Sequence, residues 1–275
     1  MQNGSGQCPT FGQRFSSKPH GYTSAMAGDT VAGAYGLRVA GAQATDWLAV
    51  EGASHWPELE LVLDGSATEV DGERLLATVA RDVPLAELVH PVLARLTLQI
   101  ALREGRDALH AGALLGSAGA WAVVGTKEAG KSTLLAACAR AGIEVMTDDA
   151  LFIDGDSCLA GPRCIDLRPA PASLIAGTTP VRPATPRHRL TLAPVVGEAP
   201  LTGLLFLEWG EGPALEPLGP SASTDRLLQR RATDLLPRDP HVLMDLAGLP
   251  AHLLRRPREW EALDPTVELV RGLLD

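Results

Sequence analysis

The sequence predicts an α/β fold, and three observations predict it. An apolar run at residues 121–124 gives way to a glycine-containing loop and then to a helical pattern over 131–141, the spacing of a strand–loop–helix unit. A second apolar run at 144–146 ends in Asp148 and Asp149, which carries the unit into another strand. Upstream, short alternating segments precede a stretch whose apolar residues recur at helical spacing. With 275 residues, 45% of them hydrophobic and 21% charged, the chain can bury one large core beside a smaller region.

In chain order, residues 1–24 are rich in Gly, Ser and Gln and read as a flexible tail without the apolar segment of a secretory signal. Residues 25–104 read as a small α+β region. Its strands fall at 35–39, 47–50 and 58–63, and its helix at 84–102, where Leu85, Leu88, Val89, Val92, Leu93, Leu96 and Ile100 share one face. Residues 105–275 read as the α/β domain proper. A strand at 108–115 holds His110, and Gly142 suits the C-terminal cap of the helix at 131–141. Strands at 151–153 and 157–159 flank the turn Asp154-Gly155-Asp156. Seven prolines over 169–200 predict an irregular segment with one strand at 188–192. A strong strand follows at 204–209. A helix starts at 225, and the chain from His241 onward reads as helical except around Pro250 and Pro257.

Charge and cysteine usage exclude some classes. A net charge of −9 is the wrong footprint for a nucleic-acid binder. Two basic clusters, Arg226 with Arg230 and Arg231, and Arg255 with Arg256 and Arg258, read first as a solvated helix face and a loop. A site for an anionic partner or nucleotide is the other reading. Cys8, Cys138, Cys158 and Cys164 form no Cys-x-x-Cys pair and have no His at zinc-ligand spacing. No apolar run approaches the roughly 20 residues that span a bilayer. The expectation is a cytoplasmic protein with no membrane and no nucleic-acid partner.

The chemistry concentrates at Gly125-Thr126-Lys127-Glu128-Ala129-Gly130-Lys131-Ser132-Thr133, which fits G-x-x-x-x-G-K-[ST]. Glycines let the backbone wrap a phosphate, and successive N–H groups then meet the positive end of the following helix. Lys131 brings a cation to the β and γ phosphates, and Ser132 offers a hydroxyl to Mg²⁺. The cofactors expected are therefore ATP and Mg²⁺. Asp148 and Asp149, at the carboxyl end of the next strand, can hold Mg²⁺ or take a proton from an attacking hydroxyl.

Leu109-His110-Ala111-Gly112, the loop, Thr147-Asp148-Asp149 and Ile165-Asp166-Leu167-Arg168 together resemble the catalytic domain of the HPr kinase/phosphorylase family. Leu253-Leu254-Arg255-Arg256-Pro257 resembles a stretch of its shorter relatives, among them kinases found beside lasso-peptide biosynthesis genes. The resemblance covers roughly residues 105–265. It implies a P-loop kinase domain of the HPr kinase/PEP carboxykinase type. It also implies roles: Asp148 as catalytic base, Lys131, His110 and Arg168 at the phosphates, and Ser132, Asp149 and Asp166 about the metal. Two departures matter. Lys127-Glu128 stands where the family usually carries Ser-Gly, and Pro169-Ala170-Pro171 replaces the Gly-rich phosphorylase signature, so kinase activity alone is expected. Residues 25–104 do not match the bacterial regulator's N-terminal domain, which argues against HPr as the acceptor. The leading expectation is an ATP-dependent kinase acting on a serine-type hydroxyl of a peptide or protein. A small-molecule kinase and a non-catalytic ATP-binding regulatory module stay open. Assembly into homo-oligomers, as in branches of the resembled family, is a further expectation.

Overall fold

Two residues at positive φ, Tyr35 (58°) and Gly36 (81°), turn the chain between β1 (Thr30–Ala34) and β2 (Leu37–Ala40). The segment read as one strand at 35–39 is thus a two-residue hairpin turn plus a strand. The computed structural model describes residues 29–40, 46–65, 67–182, 185–229 and 240–275. The expected tail at 1–24, with Cys8, and Arg230 and Arg231 of the first basic cluster lie outside them. A single 3-10 turn at Asp46–Leu48 precedes β3 (Ala49–Glu51), followed by β4 (Glu58–Gly65), β5 (Glu69–Asp71) and β6 (Leu76–Ala80).

The helix expected at 84–102 is broken. α1 (Leu85–Glu87) leads into an irregular turn in which His90 is extended (φ −152°, ψ 122°), and α2 (Leu93–Glu104) then resumes. Pro91 supplies the reason, because its ring crowds the preceding residue out of the helical region. By length and composition the run Leu85–Glu104 could cross a membrane, but Leu88, Val89, Leu93, Leu96 and Ile100 are all buried in the protein core.

The strand expected at 108–115 is two strands, β7 (Asp107–Leu109) and β8 (Ala111–Gly116), parted at His110. β9 (Gly119–Val124), α3 (Lys131–Arg140) and β10 (Val145–Thr147) follow, with Gly142 (φ 83°) closing the helix. The hairpin β11 (Leu151–Asp154) and β12 (Ser157–Leu159) turns at Gly155, as read from the sequence.

The proline-rich segment is more regular than its composition predicts. β13 (Cys164–Leu167), the single helical turn α4 (Pro169–Ala172), β14 (Thr178–Arg182), β15 (Arg187–Thr191) and β16 (Val195–Val196) occupy it. Pro180 is accommodated because β14 is an edge strand, where a missing N–H costs no ladder bond. β17 (Glu198–Trp209), β18 (Ala214–Leu218), α5 (Pro220–Gln229) and α6 (Pro240–Ala247) come next. Residues 251–256, read as helical, form the strand β19 (Ala251–Arg256), and α7 (Leu263–Leu274) ends the chain.

Among the described residues the strands form three sheets. The first runs β16-β3-β1-β2-β4-β6-β5, so β16 joins the N-terminal strands. The second runs β10-β8-β9-β17-β12-β11-β7, with β19 on β17 and β18 on β19. The third is β13-β15-β14. One apolar core draws on both Leu37, Val50 and Leu96 from the N-terminal part and Phe152, Leu204 and Phe206 from the second sheet. Another lies under α3 and α7, around Leu134, Leu135, Cys138, Leu205 and Val270.

Candidate functional site

Strand direction gathers the site on one edge. β10 is antiparallel to β8 and β8 to β9, so β10 and β9 run the same way. β17 is parallel to β9, and β19 is parallel to β17. All four strands therefore end on one edge, where open α/β sheets bind ligands. Asp148 follows β10, Gly125 follows β9, and β17 and β19 end at Trp209 and Arg256.

The loop between β9 and α3 needs its glycines. A Cβ on Gly125 would stand 2.9 Å from that of Ala129. Gly130 has φ 80°, and a Cβ there would run into the Arg256 guanidinium. Glu128 also takes positive φ, 69°, without being glycine. The Lys131 ammonium folds back along the loop and donates to the Gly125 carbonyl at 2.9 Å. Gly130 offers α3 no side-chain cap, so the first turn of that helix has N–H groups to direct at an anion.

Next to the loop, the Ser132 hydroxyl donates to Asp148 Oδ1 at 3.1 Å. Asp148 is 7% exposed. Burial, with the neighbouring Asp149 charge second, pushes its carboxyl up to about 7. Asp149 is different. It has φ 67°, and its carboxylate meets His110 Nδ1 at 3.1 Å and His90 Nε2 at 3.7 Å. Burial raises its pKa, but the hydrogen bond from His110 and the nearby His90 outweigh that and hold it below the ordinary range. His90 itself is lowered by burial, against the pull of Asp149 and Asp166. Adjacent carboxyls thus have environments that push their pKa values apart, the pattern that divides acid–base from electrostatic work.

Asp166 lies in a third environment. Arg189 grips it through Nε at 2.7 Å and Nη2 at 2.9 Å, and Arg182 Nη2 donates to it as well. Asp166 and Arg189 side chains are 3% and 0% exposed. The same guanidiniums reach the N-terminal part: Arg182 donates to the His90 carbonyl and Arg189 to that of Ala86, both at 2.8 Å, and Arg189 lies 4.5 Å over the Trp47 ring. Three of the roughly four lone-pair sites of the Asp166 carboxylate therefore face guanidinium N–H groups. Arg168 is exposed and pairs with Glu128 of the loop at 3.0 Å.

Every residue of the loop, and every residue of the HPr kinase-like motifs expected at the site, except Ala129, lines one cavity of about 1030 Å³; Arg256 and Arg258 of the second basic cluster line it too, while Arg226 and Arg255 do not. Ala129, itself in the loop, is buried. Sequence reasoning missed His90, Arg182, Arg189 and Trp209. Arg256, read first as solvated and otherwise as part of a site for an anionic partner or nucleotide, is 5% exposed, donates to the Gly130 carbonyl at 3.1 Å and covers the Trp209 ring at 4.4 Å. Burial lowers it to about 10. The resemblance around Leu253–Pro257 was the available signal for it. Among the described residues no group of three or more His, Cys, Asp and Glu is arranged to hold a metal by itself. The Ser132 hydroxyl, in the first turn of α3, fits a Mg²⁺ ion whose other ligands are phosphate oxygens and water.

No protein-family model matches the chain, and no curated protein does. Among solved structures the chain is similar to the Hpr(Ser) kinase/phosphatase from Coxiella burnetii, at 13% identity and a TM-score of 0.32, covering 61% of this chain and 95% of that one. A likeness of that size bears no weight on function, which the site geometry has to carry.

Proposed function

We propose that the protein binds a nucleoside triphosphate with Mg²⁺ on residues 125–133 and transfers the γ-phosphoryl group to a hydroxyl. The observation that carries this is the contact of Ser132, at the start of the helix after the loop, with a buried Asp148, whose carboxyl burial pushes up to about 7. A carboxyl poised near working pH at that place suits a general base.

The loop N–H groups and Lys131 hold the phosphates, and Lys131 exchanges its Gly125 carbonyl for phosphate oxygens. Bound Mg²⁺ supplies positive charge that offsets what builds up on those oxygens. Asp148 takes the proton of the acceptor hydroxyl as its oxygen bonds to the γ-phosphorus. The bond from that phosphorus to the bridging oxygen breaks, and the nucleoside diphosphate leaves with the electron pair, its new terminal oxygen facing Lys131. Asp149, charged and tied to His110 and His90, keeps Asp148 a strong enough base. Asp166 we take as a positioning carboxylate rather than a metal ligand, because Arg182 and Arg189 occupy it. Arg168 is free to trade Glu128 for the γ-phosphate, since that pair is exposed.

The acceptor we favour is a serine-type hydroxyl of a peptide or protein, in the manner of the kinases beside lasso-peptide genes. A cavity of about 1030 Å³ supports it, being at the upper end for sites that take small ligands only. The test is transfer from γ-labelled ATP with Mg²⁺ to Ser-ended peptides and to host extract. Wild type should label one peptide or protein. Lys131→Ala and Asp148→Asn should each lose roughly a hundredfold or more. Full activity of Lys131→Ala would sink the mechanism. Label on small molecules alone would move the acceptor to a metabolite, and ATP binding without transfer to any acceptor would make the protein a regulatory module.

A further inference from the structure

The strand order gives the triphosphate a direction. Asp148 follows β10, on one side of β9. Trp209 and Arg256 end β17 and β19, on the other side. If the γ-phosphoryl group faces Asp148, the nucleoside end leaves the loop toward β17 and β19. A wall of aromatic and guanidinium groups stands there. The Trp209 ring abuts the loop, 3.1 Å from a Cβ built on Gly130. Arg256 and Arg258 both lie over that ring, at 4.4 Å and 5.1 Å. Trp260 lines the same cavity and is 41% exposed, one of the few large apolar side chains so open among the described residues.

An indole left open beside a phosphate-binding loop has a specific use. Bases present a π-face that stacks on aromatic side chains and on guanidinium planes. Trp209 is already covered by two arginines, whereas the Trp260 ring retains exposed surface.

We infer that Trp260, with Trp209, Arg256 and Arg258 of the same cavity, forms the nucleobase subsite of this protein. The inference rests on the triphosphate reading of the loop. Binding measurements separate the two, with Mg²⁺ present throughout, using fluorescent N-methylanthraniloyl-ATP as probe and unlabelled ATP or inorganic tripolyphosphate as competitor. Wild type should bind ATP more tightly than tripolyphosphate, which has no base. Trp260→Ala should weaken ATP by roughly tenfold and leave tripolyphosphate unchanged, and Trp260→Phe should restore most of the difference. Trp260 is exposed, so its removal leaves the core intact. Equal ATP affinity in wild type and Trp260→Ala overturns the subsite while the loop reading stands. Equal loss of ATP and tripolyphosphate also overturns it, because Trp260 would then act on the phosphates. Failure of wild type to bind either compound overturns both.

Discussion

Asp148 makes a measurable demand on folding. Its carboxyl moves from 3.8 to about 7 on folding, through burial first and the Asp149 charge second. A folded-state pKa above the unfolded one means that the native protein holds the proton more tightly. The associated stability is fully present below about pH 4 and is lost as pH rises through about 7. It amounts to roughly 4 kcal/mol at 1.36 kcal/mol per unit. Asp149, held below its ordinary value, acts only in the acid range below that window. His90, depressed by burial, acts within the window and in the opposite sense, because protonating it costs stability as pH falls. The informative quantity is therefore the difference between wild type and Asp148→Asn. Urea unfolding between pH 5 and pH 8 should show wild type losing stability relative to the variant by a few kcal/mol. Parallel profiles for the two proteins would mean that Asp148 titrates normally.

At the scale of the element, the β9–loop–α3 unit depends on backbone shape more than on side-chain chemistry. Gly130 stands at φ 80° with Arg256 and Trp209 against it. Gly130→Ala has to bear the left-handed strain of about 1–2 kcal/mol and also displace Arg256 from the loop carbonyls. Gly142 has nearly the same φ, 83°, with nothing within 4 Å of a built Cβ. Gly142→Ala is thus the matched control, bearing strain without displacement. Calorimetric titration should show Gly130→Ala losing more than tenfold in ATP affinity and Gly142→Ala almost none, although both melt a few degrees lower. Equal affinities in the two variants would remove Arg256 and the Gly130 turn from the binding account. The sequence made this unit legible because its signals are local: apolar run, fixed glycines, Lys-Ser, helix. β19 was not legible, since what makes residues 251–256 a strand is β17, more than 40 residues upstream. Nothing between Pro250 and Pro257 announces that partner. The break at His90 was legible in principle from Pro91, but the run of leucines around it outweighed the proline.

At the scale of the molecule, the N-terminal part and the candidate site share a core and are also tied through one carboxylate. Asp166 binds Arg182 and Arg189, and those arginines hold the carbonyls of His90 and Ala86 and the face of Trp47. β16 adds a second tie by pairing with β3. No pattern in the sequence links residues 47, 86, 90, 166, 182 and 189, because they meet only after three sheets have formed. For that reason the role of Asp166 was read by resemblance, as a metal-associated group. The two roles make opposite predictions for Asp166→Asn. A clamp residue leaves two poorly solvated guanidiniums without a counter-charge, a loss of about 3–5 kcal/mol in comparable buried pairs. The variant should then melt well below wild type in buffer containing EDTA and no nucleotide, and His90 should lose its place near Asp149. A metal ligand would instead leave the metal-free melting temperature near that of wild type and raise the Mg²⁺ concentration needed for transfer. Melting in EDTA is the deciding measurement, because it does not require that the phosphoryl acceptor be known. A large drop there assigns Asp166 to holding the N-terminal strands on the site, and an unchanged melting temperature returns it to the metal.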